Sequence, residues 1–132
     1  MANQHQTRLQ QVRQALLTLH KALVDSERIT YESTVGRIRS PNHFLQLLTQ
    51  DPWFAWLQPL SQLIVSVDEA LDAEKPLTAQ SVEQVLKQIT HLLSPSETSQ
   101  GFGRHYFEAL QRDPDVVIAH GELMRALGRR KS

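Results

Sequence analysis

Residues 8–23 read RLQQVRQALLTLHKAL. Leu9, Val12, Leu16, Leu19 and Leu23 recur at spacings of three, four, three and four. That rhythm puts one apolar stripe along one side of an α-helix and leaves Gln, Arg and Lys on the other. The helix can run from residue 3 to 34, after which Gly36 is a suitable stop. No stretch of the chain alternates with the period of two that a half-buried strand shows. The expected fold class is therefore all-α.

The rest of the chain repeats this grammar with clear punctuation. Ser40-Pro41 reads as N-cap and first residue of a short helix, 41–49. Asp51-Pro52 gives the same signal for a longer helix, 52–74, whose stripe is Trp53, Trp56/Leu57, Leu60, Ile64, Val67 and Leu71. Pro59 lies inside that span and predicts a kink, since it lacks an N–H and crowds the carbonyl of Ala55. Thr78 caps a helix carrying Val82, Val85/Leu86, Ile89 and Leu92/Leu93, with Leu77 and Val82 placed as a hydrophobic staple. SPSETSQGFG, 94–103, is the one clear loop and is expected to be mobile. A short helix over 104–112 and a longer one over 114–128 follow, the second again started by Asp-Pro and ended by Gly128, before a frayed tail of about 128–132. The expectation is a single-domain helical bundle over 1–132, with four long helices and two short corner helices.

The corners resemble each other. HFLQLLTQDP, 43–52, and HYFEALQRDP, 105–114, both start with His and an aromatic residue and both end in Asp-Pro. A short helix, a buried aromatic-plus-leucine face and a capped second helix account for every shared position except the histidines. Duplication and convergence on a good corner both explain the match.

Composition narrows the function. The 132 residues suffice for one core, and with no cysteine there is neither a disulfide nor a thiolate ligand to consider. The polar start MANQHQTRLQQ lacks the apolar run of a signal peptide, and no run approaches the ~20 apolar residues of a membrane span, so a soluble cytoplasmic protein is expected. Net charge is zero: residues 1–40 carry +3, residues 41–100 carry −5 and residues 101–132 carry +2. A neutral chain with an acidic middle disfavours nucleic acid as partner. It offers little repulsion against self-association.

No nucleophile elbow, P-loop, HExxH or Glu-x-x-His pattern is present, and no cofactor is implied. His105 and Glu108 share one helical face and could reach a common ion, whereas His120 and Glu122 diverge. His43 and His105 are the symmetric candidates for a ligand or metal site beneath the 94–103 loop, with Arg104, Tyr106 and Glu108 beside them. Trp53, Phe54 and Trp56 are interface candidates: on an α-helix Phe54 points about 100° away from the stripe of its neighbours, so it must pack on the 41–49 helix or be exposed. The leading expectation is a non-enzymatic, self-associating interaction or regulatory module, a homodimer or the partner of another protein. The alternative is a ligand- or metal-binding bundle at His43 and His105.

Overall fold

The computed structural model describes residues 4–128. Six α-helices follow in order: α1 (Gln4–Thr34), α2 (Pro41–Gln50), α3 (Gln58–Asp72), α4 (Ala79–Leu92), α5 (Phe102–Arg112) and α6 (Pro114–Gly128). A 3-10 segment, Pro52–Leu57, joins α2 to α3, and the described residues contain no strand. The all-α bundle is thus as expected, with α1, α3, α4 and α6 long and α2 and α5 short. The frayed tail falls on residues 129–132, outside the described part.

α1 is the spine. Its stripe Leu9, Val12, Leu16, Leu19 and Leu23 is fully buried. Each such side chain contributes about 1.5–3 kcal/mol by leaving water. α6 packs along α1 more extensively than any other element, and α3 lies on it next. Both run antiparallel to α1. Arg8 donates to the Leu127 carbonyl at 3.0 Å while Arg112 reaches Glu27; His20 meets Ser61 at 3.2 Å while Arg13 pairs with Asp68. Arg8 also pairs with Glu83 of α4 at 3.2 Å.

The caps sit where the sequence puts them. Ser40 Oγ accepts from the His43 N–H at 3.1 Å, and Asp51 Oδ1 accepts from the Trp53 N–H at 2.8 Å. Asp113 Oδ1 accepts from the Asp115 N–H at 2.9 Å. Thr78 closes a capping box in which Ser81, rather than Glu or Gln, returns the bond. α5 begins at Phe102, two residues before the expected start. The preceding loop folds back onto it: the Ser96 N–H donates to the Gly103 carbonyl at 3.1 Å, and Arg104 donates to the Glu97 carbonyl. Gly103 permits this approach, because a Cβ there would stand 2.9 Å from Ser99 Oγ and 3.3 Å from the Ser94 carbonyl oxygen.

The continuous helix expected over 52–74 is replaced by two pieces. Pro59 has no N–H to give the Ala55 carbonyl, so that carbonyl accepts instead from Gln58, three residues on. The chain is wound as a 3-10 helix up to that point, and Pro59 becomes the second residue of α3, where no N–H is needed. The expected kink is therefore a change of helix type. It also moves the buried face. In a 3-10 helix residues i and i+3 eclipse, so Phe54 and Leu57 line up toward the core, 0% and 3% exposed, and Leu60 in the first turn of α3 extends the buried row at 0%.

Candidate functional site

The apolar stripe of α1 continues past Leu23 onto Ser26 and Glu27, which are buried. A carboxylate taken out of water costs several kcal/mol unless it is bonded. Glu27 is bonded on both oxygens. Arg112 Nη2 donates to Oε2 at 2.7 Å, and Trp56 Nε1 donates to Oε1 at 3.0 Å. Arg112 also donates to Ser26 Oγ at 3.3 Å. One carboxylate thus ties α1 to α5 and to the 3-10 segment.

From Trp56 a train of rings leads to α6. The Trp56 ring stacks on His105, with centroids 5.0 Å apart and planes 16° apart, and also meets Phe102 at 5.3 Å. Phe102 leans on Tyr106 at 5.7 Å, and Tyr106 on His120 at 5.5 Å. Tyr106 is fully buried, and its hydroxyl lies 2.5 Å from His120 Nδ1. Burial raises the Tyr106 hydroxyl far above the usual phenol range and lowers the His120 imidazole. Both therefore stay neutral near pH 7. The hydroxyl donates, Nδ1 accepts and Nε2 keeps the ring proton. A phenol held protonated in this way is a poor base and a poor nucleophile, and the pair works as a strut between α5 and α6.

The residues nominated from the sequence separate. His43 Nδ1 accepts from the Arg39 N–H at 3.1 Å, so its ring closes the entry to α2. His105 lies exposed, flat against Trp56. No hydrogen bond or ring contact joins the two histidines among the described residues. Nor do the described residues contain a group of three or more His, Asp or Glu able to hold a metal ion. Arg104 pairs with Glu108 at 3.1 Å along α5, and Tyr106 is committed to His120. Phe54 is corrected most plainly. It is 0% exposed and cannot offer an interface, since Tyr31 (5.4 Å) and Phe44 (5.8 Å) enclose it. The short helix is indeed its neighbour, which was one of the two outcomes expected for it. Trp53 and Trp56 are half-buried instead of lying on the core stripe, with Trp53 edge-on to Tyr31 at 5.6 Å.

Sequence reasoning passed over Glu27 and Arg112, and weighed His120 only against Glu122, from which it diverges. For Glu27 a signal existed: the stripe of α1 next falls on Ser26, and Glu27 stands beside it, four residues after Leu23 and on the same face. For its partner none did, because Arg112 is 85 positions away.

Large apolar side chains remain on the surface at Ile29, Val35, Leu45, Val65, Val117 and Ile118. Of these only Val117 and Ile118 are consecutive, and both lie on α6. Ile118 borders a shallow groove of about 230 Å³ between α1 and α6, with Thr18, Ala22 and Asp115 among the other walls. No helix among the described residues is long and apolar enough to cross a membrane. Comparison of the chain with family models, with curated proteins and with solved structures finds no match in any of the three.

Proposed function

We propose that this chain is a non-enzymatic interaction module that self-associates, as a homodimer with a scaffolding or regulatory role in the cytoplasm. One observation carries the reading: α6 holds Val117 and Ile118 outward, 48% and 60% exposed, while buried Glu27 is bonded to Arg112 and Trp56 and buried Tyr106 to half-buried His120. Consecutive large aliphatic residues on a solvent face favour an interface. The groups that could do proton chemistry are engaged in holding the fold together. Zero net charge removes long-range repulsion between copies, and twofold dimers are the commonest assemblies. The cysteine-free sequence suits a reducing compartment.

Sedimentation velocity of the full chain, from about one micromolar to several hundred micromolar, tests the reading. The weight-average sedimentation coefficient should climb with concentration toward that of a dimer. A monomer value held constant over the whole range would contradict it.

A further inference from the structure

We infer that the second copy docks on the outward face of α6, helix against antiparallel helix, about a twofold axis level with residue 120. The inference rests on the self-association proposed above and adds which surface and which orientation are used. On the helical wheel the outward side of α6 carries Pro114, Ile118, Gly121 and Arg125, flanked by Val117, while Val116, Ala119 and Leu123 are buried against the bundle.

Charge sets the direction. Asp115 lies in the first turn of α6 and Arg125 in the last. Neither side chain has an ion-pair partner among the described residues. The two are ten residues apart, about 15 Å along the axis. Antiparallel helices crossing at residue 120 bring Asp115 of each copy level with Arg125 of the other, twice. A parallel pair would set like charges together, and the helix dipoles would reinforce that penalty. α2, which exposes Leu45, carries no charged residue and could not set a register in this way.

Gly121 fits the same arrangement. Glycine is a poor residue for the middle of a helix. A Cβ at Gly121 would meet nothing within 4 Å, so packing within one chain does not require it. In the antiparallel pair Gly121 of one copy lies level with Ala119 of the other and within one residue's rise of its Ile118, and the missing side chain lets the two backbones come close.

A contact confined to one helix pair falls at or below ~1,200 Å², the lower end of specific interfaces, where transient association is common. Sedimentation equilibrium of the full chain up to about one millimolar therefore serves as the test, on the wild type, Asp115→Arg, Arg125→Asp, the double reversal and Gly121→Ala. Each single reversal should weaken association about tenfold, and the double should recover to within about threefold of wild type. Gly121→Ala should raise the melting temperature in dilute solution and yet weaken the dimer, so poor folding cannot explain the loss. A wild type that dimerises with no response to any of these variants overturns the α6 interface and leaves self-association standing. A double reversal as weak as the singles overturns the antiparallel pairing. A wild type monomeric throughout removes both.

Discussion

The corner at Asp51-Pro52 and the corner at Asp113-Pro114 share a local code and are put to different use. In each, an Asp side chain accepts an N–H two residues on, at 2.8 Å and 2.9 Å, and a proline opens the next helical segment. Beyond that they part. α2 buries no residue completely, whereas α5 buries Tyr106 and Ala109. His43 serves its own helix entry, while the aligned His105 stacks on a ring from another element. Gln50 is exposed, while the aligned Arg112 holds the buried Glu27. Trp56 turns in to that same carboxylate, while the aligned Ile118 is left outward. A helix–cap–helix corner specifies a bend and nothing more; what the bend does depends on the elements that meet it.

Substitutions at aligned positions can break this comparison. Tyr106→Ala should cost about 3–5 kcal/mol in denaturant unfolding, because it empties a closed site and strands His120, while Phe44→Ala, at a half-buried ring, should cost about half as much. Equal losses would mean that the two corners are equally embedded. Arg112→Ala leaves a buried carboxylate with one donor; since the guanidinium side chain is 38% exposed, solvent screening reduces the expected loss to about 2 kcal/mol. Gln50→Ala should stay within about 0.5 kcal/mol of wild type.

The next pair separates folding from association. Trp56→Phe removes the indole donor to Glu27 and should cost about 1–2 kcal/mol of stability. Ile118→Ser should leave unfolding of the dilute chain nearly unchanged and weaken self-association. The caps should show the common part of the code: Asp51→Ala and Asp113→Ala are each expected to lose about 1 kcal/mol, and a clear inequality would show that one corner does not rely on its cap.

The smallest effect is in pH. Burial lowers the folded pKa of His120, so below its ordinary value of about 6.5 the unfolded chain binds the extra proton first. The stabilising contribution of neutral His120 is present above pH ~6.5 and is lost as the pH falls through the lower folded pKa. Unfolding curves between about pH 7.5 and pH 5 should show that decline, flattened in His120→Gln. His20, lowered in the same way by burial, contributes the slope that remains.

Much of this fold is legible in the sequence, and the lapses have physical causes. The starts of α2, the 3-10 segment, α4 and α6 follow from Ser-Pro, Asp-Pro and Thr caps, because capping is settled within four residues, whereas α3 and α5 start without a side-chain cap and are not placed this way. Phe54 escapes because an α-helical wheel advances 100° per residue, whereas the 3-10 winding ahead of Pro59 advances about 120°. With that pitch Phe54 and Leu57 form an inward row that Leu60 of α3 continues. The candidate site is less legible. His43 and His105 look paired along the chain, yet their neighbours come from different parts of it. Glu27, Arg112 and Trp56 carry no mutual signal, since α1, the 3-10 segment and α5 meet only after folding. Tyr106 and His120 lie 14 residues apart on two helices, and only the bend at Asp113 brings them together.

The same two corners supply the most direct test of self-association through α6. Amide proton–nitrogen spectra of the full chain, recorded from about ten micromolar to about one millimolar, report each segment separately. Association on the outward face of α6 should shift the amides of residues 115–125 progressively and leave those between 42 and 57 still. Shifts centred on α2, or no shift anywhere across that range, would contradict it.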